Sequence, residues 1–302
     1  MTEVDGAVAW AEAAWGRRVA SSRRLRGGVT STMLALTSDD GSQSVLRLMT
    51  EEPWRRHADG LLSRESLVQT QLADSDVPAP RSIALDARGE QTGVPAHLMS
   101  HLPGALALDR DDDGLLEALA ALLTRIHAID PGDGGWPRTY QSWAWPDKRI
   151  VSEWSERSAL WRRAFAVLDG EPPTYEPTFL HRDFHPGNVL WEGDVVSGVV
   201  DWVETSTGPA ALDVAHCMTG LVLLHGADAA TRFAQYYRRA SGRDVAGSAY
   251  WWVMDVVGFL PGPQKVTVPW REAGRSIDDA LAYQRLEAAL ESALDRFDSD
   301  GR

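Results

Sequence analysis

A short polar segment set between apolar runs constrains this chain more than any other feature of its sequence. Residues 181–188 read HRDFHPGN, and a second apolar run a few residues later ends in Asp201. The proline and glycine of the first segment let the chain turn, so that Asp183 and Asn188 can face one cavity. The pattern predicts two short strands whose polar loops carry the chemistry of the protein.

Phosphoryl transfer uses the residue types found at these positions. It needs a carboxylate that orients the acceptor hydroxyl and accepts its proton, together with two oxygen ligands for Mg²⁺. Asp183 suits the first role. Asn188 and Asp201 suit the second, because the amide supplies a hard oxygen without further negative charge and the carboxylate supplies the charge that holds the ion.

The neighbours of Asp183 allow a second interpretation. We expect His181 and Arg182 to complete the catalytic loop, supporting it through hydrogen bonds rather than by touching the substrate. A rival hypothesis makes His181, Asp183 and His185 the metal triad of a hydrolase, but it leaves Asn188 and Asp201 without a role. Asp213 is predicted to be a structural residue, a helix cap or a hydrogen-bonding residue, rather than a catalyst. His127 lies on an apolar helix face and is predicted to be a core histidine that braces the loop.

The complete pattern resembles the catalytic loop and metal-binding strand of the aminoglycoside phosphotransferase/choline kinase family. The family pattern is roughly His-x-Asp-x-His-x-x-Asn, then a few apolar residues, then Asp-Trp or Asp-Phe. Residues 181–188 and Asp201-Trp202 match it, and Leu212–Ala215 matches a downstream Asp-hydrophobic-Ala element. The resemblance extends over most of the chain, from about residue 22 to residue 217.

The resemblance implies an α+β chain with the protein-kinase-like bilobal fold. We expect a β-rich, nucleotide-binding N-terminal lobe over residues 1–98, a hinge over 99–104, and a mainly helical catalytic and substrate-binding lobe over 105–302. Short β-type runs dominate before the hinge, with a hairpin turn at residues 39–42. Apolar helical patterns such as 115–129 follow it.

Two segments of the first lobe resemble the nucleotide-binding elements of the family. A loop between the first two β-type runs has glycines, which permit close backbone approach to phosphates, and hydroxyls, which can donate hydrogen bonds. Its candidates are Gly27, Gly28, Thr30, Ser31 and Thr32. The hinge contacts the nucleobase through its backbone, and its candidates are Met99, Ser100 and Leu102. This pattern does not separate ATP from GTP.

Arg47 lies in a β-type run where kinases carry a lysine. Arginine keeps the positive charge and can grip phosphate oxygens with two parallel hydrogen bonds. Glu65 follows 18 residues later, on a helix predicted over 61–74. It resembles the helix glutamate that pairs with the basic residue of the strand.

The acceptor-binding residues are indicated by aromatic and acidic side chains. Five of the thirteen tryptophans fall between Trp136 and Trp161, where this family inserts helices around its acceptor, and large rings can stack on a sugar or enclose a cation. We select Trp143 and Trp145 from this group. Glu204 and Asp255 are the acidic candidates for contact with a polycationic substrate.

The charge of the chain narrows the classes of partner. The formal net charge is −13, so a phosphate backbone or an anionic membrane would be repelled, and we expect neither nucleic acid nor membrane as a partner. The single cysteine, Cys217, excludes a cysteine-rich zinc site, and no signal-peptide pattern opens the sequence. We expect a cytoplasmic protein, monomeric or a simple homodimer.

The sequence therefore predicts a small-molecule kinase that transfers the γ-phosphoryl group of Mg-ATP or Mg-GTP to a substrate hydroxyl. The family resemblance and the acidity of the chain favour an aminoglycoside-type antibiotic as acceptor, which would imply a role in antibiotic resistance. A macrolide kinase and a kinase of a metabolite such as choline, homoserine or a sugar remain open. An alternative from another class is a nucleotide-binding pseudokinase, although the intact set of Asp183, Asn188 and Asp201 argues against it.

Overall fold

The β-type runs of the first hundred residues form a five-stranded antiparallel sheet in a computed structural model, which describes residues 3–25, 30–131, 138–243 and 249–300. The strands are β1 (Val19–Arg24), β2 (Thr32–Ser38), β3 (Gln43–Leu48), β4 (Ser82–Asp86) and β5 (Ala96–Ser100). They lie in the order β1-β2-β3-β5-β4. The predicted hairpin is present, since β2 pairs with β3 from Thr32↔Leu48 to Thr37↔Gln43.

Side-chain alternation along β3 separates the core from the functional face. Leu46 and Leu48 are fully buried in an apolar cluster that includes Ala7 and Ala11 of helix α1 (Glu3–Trp15). Because successive side chains of a strand point to opposite faces, Arg47 leaves the sheet on the other side. Helix α2 (Ala58–Leu72) supplies Glu65 to that side, and begins three residues earlier than the helix predicted over 61–74.

Short strands frame the polar loops that the sequence singled out. They are β6 (Ala105–Leu106), β7 (Thr178–Leu180), β8 (Val189–Glu192), β9 (Val195–Val199) and β10 (Ser206–Gly208). Strand β7 pairs antiparallel with β10, and β8 pairs antiparallel with β9. Residues 181–188 therefore form the connection between β7 and β8, and Asp201 follows β9 with only Val200 between them.

The remaining elements are helical. They are α3 (Asp113–His127), α4 (Ser158–Leu168), α5 (Ala211–His225), α6 (Ala227–Ser241), α7 (Ala249–Val257), α8 (Gln264–Glu272) and α9 (Asp279–Asp300). Helix α5 is buried along its whole length from Leu212 to Leu224 and packs against α6, α7 and α9. A helix that is apolar on every side belongs in a protein core, which explains why the most apolar stretch of the chain lies here.

The chain divides into two compact units. The first comprises Met1–Ala105 and Val189–Glu204, and the second comprises Leu106–Asn188 and Thr205–Arg302. The expected lobes over 1–98 and 105–302 with a hinge over 99–104 stay a prediction, because compactness does not show which residues bind a nucleotide. No helix among the described residues is both long and apolar enough to cross a membrane.

Candidate active site

Arg47 and Glu65 form a buried ion pair in the first unit. Arg47 Nη2 lies 3.3 Å from Glu65 Oε1, and the two side chains are 5% and 0% exposed. His97 of β5 stands directly opposite Arg47 in the sheet, and its Nδ1 donates to Glu65 Oε2 at 2.9 Å. Burial alone would raise the pKa of Glu65, but the Arg47 charge and the His97 hydrogen bond hold it below its ordinary value.

Asp201 belongs to the same group. Arg47 Nη1 donates to Asp201 Oδ1 at 2.9 Å, and the Asp201 side chain is 32% exposed. The backbone of Asp201 is left-handed, with φ at 68°. An aspartate tolerates this conformation at a cost, and it turns the carboxylate back toward β3. The structure thus brings together three residues that the sequence predicted, Arg47, Glu65 and Asp201, and adds His97.

In the second unit, Asp213 holds the backbone of the catalytic loop. Its two oxygens accept the backbone N–H groups of His181 at 2.8 Å and Arg182 at 2.7 Å. His127 Nε2 donates to Asp213 Oδ2 at 3.2 Å. Asp213 is therefore a hydrogen-bonding residue, as predicted, and His127 braces the loop through it. Arg182 has φ at 73°, a strained value for a residue with a side chain.

Asp183 is fixed by its neighbours and remains accessible. Asn188 Nδ2 donates to the backbone oxygen of Asp183 at 2.9 Å and to its Oδ2 at 3.1 Å. His181 Nδ1 accepts the N–H of Asp183 at 3.2 Å, as expected for a supporting residue. The Asp183 side chain is 26% exposed, so a substrate can reach it.

His216 of α5 connects Asp183 to a second carboxylate. His216 Nε2 lies 3.0 Å from Asp183 Oδ1, and Nδ1 donates to Asp255 Oδ1 at 2.8 Å. Burial alone would lower the pKa of His216, but the Asp255 and Asp183 carboxylates raise it to about 9. His216 is therefore cationic at neutral pH, and its bond and charge help to hold the pKa of Asp183 well below the ordinary value.

Asp255 differs from its prediction. We expected it to face a polycationic substrate, but its side chain is 0% exposed. Oδ1 binds His216, and Oδ2 accepts the hydroxyl of Thr219 at 2.7 Å. Helix α7 is buried along its whole length and places Asp255 against α5. The Asp255 carboxylate therefore bonds to residues of the protein rather than to a substrate.

His185 does not form the metal triad considered in the sequence. Its Nδ1 accepts the N–H of Gly187 at 2.9 Å, and its Nε2 is 3.9 Å from Asp183 Oδ1. Within the described ranges, the cluster that could hold a metal ion through histidine and aspartate joins Asp183 and His185 to His216, not to His181. Burial lowers the pKa of His185 to about 4, so this ring is neutral where His216 is charged.

The loop and hinge candidates of the first unit are described in part. Gly27 and Gly28 lie outside the described residues. Thr32 Oγ1 is 3.1 Å from Thr50 Oγ1, Ser31 is buried and Thr30 half-buried. Of the residues predicted for the hinge, Met99 and Ser100 lie at the end of β5, where Met99 Sδ accepts Gln69 Nε2 at 3.4 Å and Ser100 Oγ accepts the N–H of Arg81 at 2.8 Å. Leu102 packs on Gly198, where a Cβ would come within 2.6 Å of Leu102 Cδ1.

The acceptor candidates lie in different surroundings. Glu204 is half-buried, in a short 3-10 turn of the first unit. In the second unit, Trp143 is half-buried and the Arg182 guanidinium lies 3.9 Å from the centre of its ring. Trp145 is 50% exposed. The ring of Trp143 also meets the edge of His216, with the centroids 5.2 Å apart.

Solved structures share the fold of this chain. One is aminoglycoside phosphotransferase APH(4)-Ia in a ternary complex with ADP and hygromycin B. It is 17% identical with a TM-score of 0.63, and the match covers 94% of this chain and 98% of that one. Another is the amicoumacin kinase hAmiN with AMP-PNP, Ca²⁺ and its substrate, at 14% identity and a TM-score of 0.62, covering 96% and 94%. At these identities the likeness establishes the predicted α+β, kinase-like fold.

A curated relative is the homoserine kinase of Methylobacillus flagellatus. It is 28% identical over 203 residues, which are 63% of this chain and 60% of the relative. The chain thus aligns with less than two thirds of the length of this relative. A family model described as "Phosphotransferase enzyme family" (APH) matches residues 21–252, a range that contains Arg47, Glu65, Asp183, Asn188 and Asp201. The chain therefore belongs to the phosphotransferase enzyme family, in agreement with the resemblance found in its sequence.

Proposed function

We propose that this protein is a small-molecule kinase that transfers the γ-phosphoryl group of Mg-ATP or Mg-GTP to an alcohol hydroxyl. The observation that carries the proposal is the pairing of Asp183 with Asn188 on a loop held by Asp213. Family membership supports the class of reaction, and the names of the solved relatives support a nucleotide donor and a divalent cation.

Arg47 would bind phosphate oxygens of the nucleotide. Glu65, which is itself held by His97, fixes the guanidinium from one side, so that little side-chain entropy remains to be lost when phosphate binds. Arg47 donates a second hydrogen bond, to Asp201. We expect this bond to be exchanged for one to a phosphate oxygen when the nucleotide binds. We place Arg47 as the phosphate-binding residue and Glu65 as the residue that positions it.

Asn188 and Asp201 fit the role of metal ligands. The amide nitrogen of Asn188 is committed to Asp183, which leaves the amide oxygen, the atom that a hard cation requires. Asp201 is a partly exposed carboxylate. When bound, Mg²⁺ would neutralise charge that develops on the transferred phosphoryl group and on the leaving phosphate.

Asp183 would orient the acceptor hydroxyl and accept its proton as the phosphoryl group moves. Phosphoryl transfer passes through a loose transition state, so the proton leaves late and the carboxylate acts mainly by positioning. The cationic His216 fits this role, because it fixes the carboxylate and keeps it ionised. Asp255 is a positioning residue that acts through His216.

Two classes of acceptor are supported by the relatives of this chain. An aminoglycoside-type antibiotic is supported by the solved relatives, and would carry a role in antibiotic resistance. A metabolite such as homoserine is supported by the curated relative. The cytoplasmic location and the monomeric or homodimeric state remain predictions from the sequence.

The test measures ADP or GDP release and product mass with Mg-ATP and Mg-GTP across aminoglycosides, a macrolide, choline, homoserine and sugars. Asp183→Asn should lower turnover by at least about a hundredfold with little change in nucleotide affinity. Asp194→Asn is the matched control, because Asp194 is an exposed aspartate in the turn between β8 and β9. Full turnover by Asp183→Asn would overturn the proposed role, and nucleotide binding without transfer to any acceptor would favour a pseudokinase.

A further inference from the structure

The two lysines of this chain lie on the same part of the second unit. Of its 30 basic residues, only Lys148 and Lys265 are lysines, and all others are arginines. Lysine presents a compact point charge, whereas arginine presents a planar fork that commonly pairs with protein carboxylates. The positions of these two ammonium groups are therefore informative.

Lys265 lies beside the rings that flank His216. Its Nζ is 4.8 Å from the centre of the Trp143 ring and 4.4 Å from that of Phe259. The same two rings contact the His216 imidazole, with centroids at 5.2 Å for Trp143 and 5.7 Å for Phe259. Since His216 is bound to Asp183, two aromatic rings connect the Lys265 ammonium to the catalytic carboxylate.

Lys148 adds a second positive charge to this surface. Its Nζ lies 4.9 Å from the centre of the Trp145 ring. Loss of water around the Lys265 ammonium lowers the pKa of Lys265 to about 8, against the attraction of Asp255 and Asp183, and the charge of Lys148 contributes to the same lowering. Lys265 is nevertheless an exposed residue, so the ammonium is crowded by rings and still reachable by a ligand.

Neither ammonium is neutralised by the protein. Across the ranges that the structure describes, no carboxylate oxygen lies within 4.0 Å of Lys148 Nζ or Lys265 Nζ. Asp255 and Asp183 attract the Lys265 ammonium from a greater distance, but both are paired directly with the cationic His216. The uncompensated charge of this surface is positive, opposite to the net charge of the chain.

We infer that Lys265, assisted by Lys148, binds an anionic group of the acceptor, which makes the acceptor a hydroxylated acid rather than a polycation. This inference rests on the proposed function. A carboxylate or a phosphate ester would satisfy both ammonium groups while its hydroxyl faces Asp183. A polycationic aminoglycoside would instead place its ammonium groups beside these two positive charges, and the repulsion would weaken its binding.

The first test observes binding without turnover. Reductive methylation with ¹³C-formaldehyde keeps the lysine charge and labels only Lys148, Lys265 and the terminal amine, and Lys148→Arg assigns the signals. Titrations use glycerol, D-glycerate and glycerol phosphate, three ligands that differ in their anionic group, together with hygromycin B. We expect the Lys265 signal to shift and saturate with one or both acids and to stay in place with glycerol and hygromycin B. An unmoved signal with both acids would overturn the inference.

The second test compares acceptor kinetics. L-homoserine and its methyl ester form a matched pair, and Lys265→Met should raise KM for the acid by about tenfold or more, as expected for loss of a charged contact. Lys265→Arg should restore most of the affinity. Arg271→Met, which removes an exposed positive charge from the same helix, is the control for the net-charge change and should leave KM unaltered.

The proposed kinase function and the anion site at Lys265 can be disproved separately. If wild-type protein phosphorylates no acceptor at all, the proposed function fails, and the labelled lysines still report whether the anion site exists. If it phosphorylates hygromycin B or neutral alcohols better than acids, the proposed function stands and the inference is wrong. A preference for glycerol phosphate over D-glycerate would identify the anion as a phosphate ester.

Discussion

His216 lies 3.0 Å from Asp183 through Nε2 and binds the buried Asp255 through Nδ1 at 2.8 Å. The imidazole is cationic because it stands between two carboxylates. An ordinary general base would be weakened by such a neighbour. A carboxylate that mainly orients a hydroxyl gains from it, since its position is fixed.

Replacing Asp255 tests this arrangement. Asp255→Asn keeps the shape but removes one charge from His216, and we expect kcat to fall by about tenfold or more with the nucleotide KM unchanged. His216→Gln should lower kcat at least as much, and the double variant should lose less than the product of the two effects, because the residues act as one unit. Independent effects in this cycle, measured by steady-state kinetics, would contradict a shared role.

The pH dependence of stability reports the charge on His216. Its folded pKa of about 9 lies above the ordinary 6.5, so its contribution to stability is complete below pH 6.5 and is lost as the pH rises through 9. Relative to His216→Gln, the free energy of unfolding of the wild type should fall by about 1.4 kcal/mol per pH unit between these values. Denaturant titrations at several pH values measure this difference. A flat difference would show that the imidazole is neutral.

Glu65 should govern nucleotide binding. Glu65→Gln leaves Arg47 buried with less compensating charge, so we expect the nucleotide KM to rise by about tenfold or more while the acceptor KM changes little. The matched control is Asp59→Asn on the same helix, because Asp59 is exposed and its partners Arg88 and Ser63 are exposed surface residues. If Glu65→Gln does not fold, Arg47→Lys keeps the charge and should still weaken binding, because the two-pronged contact is lost. A changed acceptor KM with unchanged nucleotide KM would contradict the assignment.

Asp213 should act on stability and turnover together. In Asp213→Asn, an NH₂ group takes the place of one carboxylate oxygen. The backbone N–H of His181 or of Arg182 then loses its acceptor. An unsatisfied buried donor costs about 1 to 3 kcal/mol, so thermal unfolding should occur at a lower temperature and kcat should fall. Asp228→Asn, at an exposed position on α6, is the control. Unchanged kcat in a folded Asp213→Asn protein would show that the loop does not depend on this brace.

Much of the fold and of the site follows from local sequence pattern. The hairpin of β2 and β3 was predicted because a turn cluster separates two apolar runs, and the role of His127 followed from its place on an apolar helix face. The pairing of Arg47 with Glu65 came from the family resemblance, and the structure confirms it.

The sequence could not reveal contacts made by distant segments. His216 lies in the apolar helix α5, where the sequence pattern indicates only a buried core residue. Its partner Asp255 is 39 positions away in the chain. Lys148 and Lys265 stand far apart in the chain, so their shared surface appears only in three dimensions. Their position also shows why an overall charge of −13 is a poor guide to a ligand, since it averages over surfaces of opposite sign.

The left-handed backbone at Arg182 and Asp201 has an evolutionary consequence. A glycine would adopt the φ values of 73° and 68° without steric cost, whereas each of these residues costs on the order of 1 kcal/mol. Glycine would nevertheless remove the contact of the buried Arg182 with the Trp143 ring and the bond of Asp201 to Arg47. Descendants that no longer carry out the chemistry should therefore retain Arg182 and admit glycine first at the partly exposed Asp201.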